Sequence, residues 1–398
     1  MNKQKRIGYV MAYSEGHNNY GTSLQGYALL RKMQQFGYDV EIIYYVKQLS
    51  FRQKISYVVN AIKAKETRML TRQLSSIYNR KVHSAYYECL KYRTLAVNAY
   101  KEKKLKPFFH RYVGFDKLRE GSKGYDLIIV GSDQVWMPLS LPNKFFNLLF
   151  AVDEVKKVAY ASSFGVSEIP KFQRKATGEY LDRFSKIGVR EQKGKEIVES
   201  LSTMTATVVA DPTLLFTKDE WDSEIYQTIS NTTLSNITRA NGEPYIFCYL
   251  ISPNEEARKQ SKELSRRTGL PIITIRHMEQ YRAIDEKIGD EVPYSVDPND
   301  FVRYISHASY VCTDSFHCTV FSIIYHRQFI TFYRTKNMNK SSRNSRIESL
   351  FNVLGIGKEH IYQGDMNSIN EPINWDLVEC NLSKLREDSI TFLRNALQ

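Results

Sequence analysis

Ten short apolar runs, each breaking off into small or polar residues, constrain what this chain can fold into. They fall at residues 7–13, 40–46, 126–130, 157–161, 187–189 and 207–210, and again at 245–251, 271–275, 310–313 and 329–333. Helical patterns lie between them, such as residues 22–36 closed by Gly37. That alternation is the pattern of parallel βαβ units. Unbroken apolar character, as at Ile128 and Ile129, marks a strand buried on both faces. At 398 residues the chain exceeds one ordinary core. The expected architecture is α/β, with two Rossmann-type parallel-sheet domains facing a cleft. The first is placed at 1–225, a polar linker at 226–243 and the second domain at 244–370. A helix within 371–398 is expected to pack back on the first domain.

The net charge of +13 sits in one place. Between Lys47 and Gly124 there are 19 Lys and Arg against 5 Asp and Glu, more than the whole excess. This stretch has helical periodicity and almost no Gly or Pro, so it reads as a basic insert of two or three helices. Phe51, Tyr57, Tyr86, Tyr87, Tyr92, Tyr100, Phe108 and Phe109 interleave with its charges. With Lys101, Lys103, Lys104 and Lys106 they form either a face for an anionic bilayer or a solvated helical surface. No run reaches the roughly 18–20 apolar residues of a membrane span. Residues 7–13 after the basic start read as a buried strand and not as a signal peptide. The five cysteines are scattered without a Cys-x-x-Cys pair, so neither a zinc site nor a disulfide framework is expected and a reducing cytoplasm fits.

Ligands of open α/β sheets bind beyond the carboxyl ends of the strands, and the unusual polar clusters sit there. Residues 18–21, 132–136, 190–191 and 314–317 would converge on one interdomain cleft. His317 falls in the first turn of a helix opened by Asp314 or Ser315, either of which can cap it. It is suited to acid/base chemistry and equally to a structural role. Asp133 and Glu191 either orient hydroxyls or cap helices. Trp136 either stacks on a sugar ring or joins an interdomain core. His17 lies in the cleft loop.

At these residues the chain resembles the polysaccharide pyruvyl transferases. The resemblance rests on Asn18-Asn19-Tyr20-Gly21, Val130-Gly131-Ser132-Asp133-Gln134-Val135-Trp136, Arg190-Glu191, Asp211-Pro212-Thr213 and Thr313-Asp314-Ser315-Phe316-His317, in that order, over about residues 7–365. It implies a GT-B-like fold and transfer of pyruvate from phosphoenolpyruvate to two hydroxyls of a saccharide, giving a cyclic ketal and phosphate. By this likeness His317 is the acid/base, with Asp314 beside it, and Arg190 is a donor ligand. Glu191, Asn18, Asn19, Gly21, Ser132, Asp133, Gln134 and Ser315 line the substrate site. No cofactor or metal is called for. The acceptor, lipid-linked or free, would belong to surface polysaccharide assembly in the cytoplasm or at the inner membrane.

The chain departs from many relatives at the late motif, where they read Ser-Arg-x-His-Gly. Ser315 stands at the arginine position and Cys318 at the glycine position. The opening loop reads Tyr20-Gly21-Thr22 where many relatives have Gly-Asp. A basic run from Arg334 to Arg346 either supplies the missing charge, through Arg346, or is a solvated loop and helix start. Two alternatives stand beside pyruvyl transfer: a GT-B glycosyltransferase using a nucleotide sugar, and a non-catalytic basic protein binding membrane or nucleic acid. The last leaves the strand-end motifs unexplained, and no nucleic-acid partner is expected.

Overall fold

The computed structural model describes residues 5–13, 15, 18–48, 55, 79–226, 243–277, 281–334 and 345–398. His17, Phe51, Tyr57, most of the 226–243 linker and residues 335–344 lie outside the described residues.

The first sheet contains β1 (Arg6–Val10), β2 (Asp39–Val46), β3 (Phe109–Val113), β4 (Leu127–Val130), β5 (Lys156–Ser162), β6 (Lys186–Val189) and β7 (Ala206–Val208). They run parallel in the order β3-β2-β1-β4-β5-β6-β7. The second sheet contains β8 (Ile246–Tyr249), β9 (Ile272–Thr274), β10 (Tyr310–Thr313) and β11 (Gln328–Thr331), parallel in the order β11-β10-β8-β9. These are two Rossmann-type units in a GT-B-like arrangement. Helix α1 (Tyr20–Gln35) joins β1 to β2. Its first residue, Tyr20, stacks on Phe301 at 4.8 Å and donates to the Val296 carbonyl at 3.1 Å. One apolar cluster therefore runs from Ile7 and Ile129 of the first sheet to Phe247 and Val311 of the second.

The basic insert is only partly helical. It contributes α2 (Ser84–Lys104) and α3 (Phe115–Ser122), but Phe109–Val113 between them is a strand at the sheet edge. An edge strand is half solvated, so Phe-His-Arg-Tyr-Val shows no unbroken apolar run and its period is hidden. The proposed outward lysine face is also broken up. Lys101 is buried with its ammonium 5.3 Å from the Tyr13 ring, and burial pushes its pKa down to about 8. Lys104 pairs with Glu224 at 3.4 Å and Lys106 with Glu102 at 2.5 Å. Lys103 remains exposed. No helix among the described residues is long and apolar enough to cross a membrane.

After β7 comes α6, with α4 (Arg174–Leu181) and α5 (Gln192–Leu201) before it and α6 itself at Lys218–Tyr226. The second unit adds α7 (Glu255–Thr268), α8 (Pro298–Ser306), α9 (Phe316–Ile324) and α10 (Ser345–Leu354). Every residue of α9 is buried, as an apolar helix between two layers must be. Each large side chain such as Val320, Phe321 or Ile323 contributes about 1.5–3 kcal/mol to that packing. The last helix, α11 (Trp375–Leu397), lies against the first sheet: the Ala210 N–H donates to Ser389 Oγ at 2.8 Å and Arg386 Nε to the Leu214 carbonyl at 2.9 Å.

Candidate active site

The carboxyl ends of β1, β4, β6 and β7 meet the start of α9. Behind β1, Asn19 caps α1, its side chain accepting from the Thr22 N–H at 3.2 Å. Gly21, in the first turn, touches His317 so closely that a Cβ there would overlap the imidazole at Nδ1 and Cγ and lie 2.9 Å from the histidine Cβ. Only glycine admits that approach.

Behind β4, Asp133 has φ +74°, a left-handed conformation held by the Ser163 N–H donating to the Asp133 carbonyl at 2.9 Å. Its carboxylate accepts from Thr22 Oγ1 at 3.0 Å and from Arg190 Nη2 at 3.5 Å. Arg190, behind β6, is buried and donates from Nη1 to Asp211 Oδ2 at 2.9 Å. Its Nε lies 3.6 Å from Glu191 Oε2 without a hydrogen bond. The other Glu191 oxygen accepts from Ser163 Oγ. Burial would lower the Arg190 pKa, but Asp211, Asp133 and Glu191 outweigh it and raise it.

Asp211, behind β7, accepts at Oδ1 from the Thr213 N–H at 3.1 Å and the Thr213 hydroxyl at 2.7 Å. Its Oδ2 faces His317 Nε2 at 3.6 Å. That is ion-pair distance and too long for a hydrogen bond, and Nε2 has no hydrogen-bond partner among the described residues. Burial pushes the Asp211 carboxyl up, yet His317, Arg190 and Thr213 together hold it well below the usual carboxylate range. Burial likewise opposes the Asp133 charge, which Arg190, His317 and Arg346 restore, leaving its pKa lowered.

Arg346, near the start of α10, completes the site. Its guanidinium carbon is 5.5 Å from the Phe316 ring and that of Arg190 is 4.8 Å from the same ring. Burial and the neighbouring Arg190 and Arg334 push the Arg346 pKa down to about 9, against the pull of Asp133 and Glu191. Its Nε is buried without a partner among the described residues. Buried guanidinium, imidazole and carboxylate groups with unused polar atoms mark a place built for a polar ligand.

The structure thus brings together Gly21, Asp133, Arg190, Glu191, His317 and Arg346. Gln134 lies near Gly165, its buried Nε2 without a partner among the described residues. Ser132 is held by Gln25, its N–H donating at 3.2 Å. Asn19 and Ser315 are helix caps, Ser315 accepting from the Cys318 N–H at 3.5 Å. Asn18 turns toward α2, donating to Thr94 Oγ1 at 2.8 Å. Asp314 directs its carboxylate to β8, accepting from the Ile251 and Ser252 N–H groups at 2.6 and 2.7 Å and from the Ser252 hydroxyl. The carboxylate facing His317 is instead Asp211, whose Asp-Pro-Thr motif is visible in the sequence without a sign that it reaches the histidine. Trp136 packs among Phe164, Tyr180 and Phe184 in the first unit and donates to the Phe146 carbonyl at 3.1 Å. It is a core residue there, neither a sugar platform nor an interdomain contact.

A family model for polysaccharide pyruvyl transferase matches residues 19–336, four-fifths of the chain and all but one of the strand-end clusters entire. The chain belongs to the polysaccharide pyruvyl transferase family. Comparison with curated proteins returns no match. Among solved structures, a UDP-GlcNAc 2-epimerase from Neisseria meningitidis is 7% identical, covering 97% of this chain and 99% of its own, with TM-score 0.48. MnaA of S. aureus, solved with UDP, is 12% identical over 98% of this chain and 92% of its own, with TM-score 0.49. MurG of Acinetobacter baumannii is 10% identical over 98% of both chains, with TM-score 0.44. As a family member the chain is a transferase.

Proposed function

We propose that this transferase moves pyruvate from phosphoenolpyruvate to two hydroxyls of a saccharide, forming a ketal and releasing phosphate. One observation carries the reading: a buried imidazole stands among two buried guanidinium groups, and its Nε2 and both guanidinium Nε atoms have no hydrogen-bond partner among the described residues. The enol phosphate must gain a proton on its methylene carbon, which leaves positive charge on the neighbouring carbon. His317 supplies that proton, and Asp211 Oδ2 stands 3.6 Å from its Nε2. One saccharide hydroxyl adds to the carbon and loses its proton. Phosphate leaves, and a second hydroxyl closes the ring with loss of a second proton. Arg190 and Arg346 hold the donor's anionic groups. Glu191, whose Oε2 has no hydrogen-bond partner among the described residues, accepts a hydroxyl proton. Asp314, with both oxygens engaged, acts only in supporting the turn that leads into α9 and His317. The reaction belongs to cytoplasmic surface-polysaccharide assembly, on a free or lipid-linked acceptor.

The test is to offer labelled phosphoenolpyruvate and nucleotide sugars separately. Saccharide-dependent phosphate release from the first is expected. Consumption of a nucleotide sugar with phosphoenolpyruvate untouched would establish the glycosyltransferase reading, which Ser315 at the common arginine position keeps in play.

Arg346 tests the donor side by itself. A buried charge beside Arg190 and Arg334 destabilises the empty site, and an anion relieves it. Arg346→Met is therefore expected to raise the melting temperature of the ligand-free protein while weakening donor binding roughly ten- to a hundredfold. Melting curves of the two ligand-free proteins, with phosphoenolpyruvate titrations of each, check both halves of that expectation.

A further inference from the structure

Asn18 is 5% exposed, and its Oδ1 has no hydrogen-bond partner among the described residues. Which way its amide points follows from hydrogen-bond bookkeeping. Thr94 Oγ1, on α2, donates its single proton to the Leu90 carbonyl at 3.1 Å. It can therefore only accept from Asn18, which fixes the amide NH2 group toward Thr94 at 2.8 Å. The oxygen is left as a buried acceptor.

The helix carrying Thr94 is itself fastened. The neighbouring Arg93 is fully buried and donates from Nη1 to the Arg276 carbonyl at 2.8 Å and from Nη2 to the Pro293 carbonyl at 3.1 Å. Tyr86, two turns earlier on the same face, donates to the His277 carbonyl. The insert thus reaches across to the second unit and presents Thr94 to the loop whose Gly21 abuts His317.

We infer that Asn18 Oδ1 accepts a hydrogen bond from a saccharide hydroxyl, and that Thr94 is the positioning residue that fixes this polarity. The inference rests on the pyruvyl-transfer reading for the identity of the second substrate. A neutral amide oxygen wants a donor. Phosphoenolpyruvate, ionised at its carboxylate and phosphate, offers acceptors only, so this oxygen serves the acceptor side of the site. Removing the Thr94 oxygen frees the amide to rotate, and its NH2 group then competes for the place of the oxygen.

The experiment uses the full chain and titrates the methyl glycosides of glucose, galactose and mannose by ligand-observed NMR, with inorganic phosphate titrated separately by calorimetry. At least one pyranoside is expected to bind the wild type. Thr94→Val should weaken that binding about tenfold and leave phosphate affinity unchanged, and Thr94→Ser should restore it. Melting temperatures confirm that each variant is folded. Asn18→Leu, which alters the loop and not α2, should repeat the loss should Thr94→Val prove unstable. Equal pyranoside affinity in wild type and Thr94→Val, absent binding included, overturns the inference, as does a parallel fall in phosphate affinity. A failure of phosphoenolpyruvate turnover alongside the expected pyranoside pattern would instead strike the pyruvyl-transfer reading and leave the Asn18 assignment standing.

Discussion

His317→Ala is expected to leave a folded protein whose turnover is down roughly 100- to 10,000-fold, the usual worth of a general acid. The ring lies in the first turn of α9, whose larger apolar side chains, Val320, Phe321, Ile323 and Ile324, are buried without it. Its only charged neighbour within ion-pair distance among the described residues is Asp211. The fall should appear in kcat, with phosphate affinity nearly kept, because Arg190 and Arg346 remain. Gly21→Ala should reach a similar loss by another route. The added methyl would overlap the imidazole and push it aside, and a displacement of about 1 Å can cost roughly a hundredfold. Steady-state kinetics on both variants, with melting curves as a control, decide the matter. Near wild-type turnover in either would remove the imidazole from the chemistry.

Asp211→Asn is expected to strike stability and turnover together. Its carboxylate is buried between Arg190 at 2.9 Å and His317 at 3.6 Å. Breaking a buried pair from one side commonly costs about 3–5 kcal/mol. Asp133 at 3.5 Å and Glu191 at 3.6 Å still face Arg190, so the lower end of that range applies. The acid side of the stability profile carries the same signature. Burial alone would raise the Asp211 pKa, but His317, Arg190 and Thr213 hold it well below its unfolded value. Its stabilising contribution is therefore complete above the unfolded pKa of about 3.9 and is lost as pH falls toward the native one. Urea denaturation at pH 7 and pH 2.5 should show a smaller acid-induced loss in Asp211→Asn than in the wild type. An unchanged acid limb would mean that other carboxylates govern it.

What could be read from the sequence follows how local each signal is. Buried parallel strands such as Ile128–Ile129 show as unbroken apolar runs, and the motif residues follow those runs directly. The edge strand Phe109–Val113 is half solvated and lies inside a basic stretch, so nothing local separates it from the helices around it. Strand-end position places Gly21, Asp133, Arg190 and His317 on one cleft, because parallel topology puts all carboxyl ends on one side. It does not say which carboxylate meets the histidine. Asp314 is close in sequence and turns to the Ile251 and Ser252 amides, whereas Asp211 comes from the other sheet. Long-range pairing of that kind depends on how two domains dock, and so do the contacts of Arg93 with Arg276 and Pro293. The charge of the insert was equally misleading about direction: Lys101 and Lys104 point inward to Tyr13 and Glu224.

The most direct test of pyruvyl transfer is proton NMR in D2O with phosphoenolpyruvate and a pool of oligosaccharide acceptors. Protonation of the methylene carbon by His317 predicts a ketal methyl group carrying one solvent deuterium, formed one-for-one with inorganic phosphate and absent with His317→Ala. Intact phosphoenolpyruvate beside a consumed nucleotide sugar, or free pyruvate and phosphate beside an unmodified saccharide pool, would contradict it.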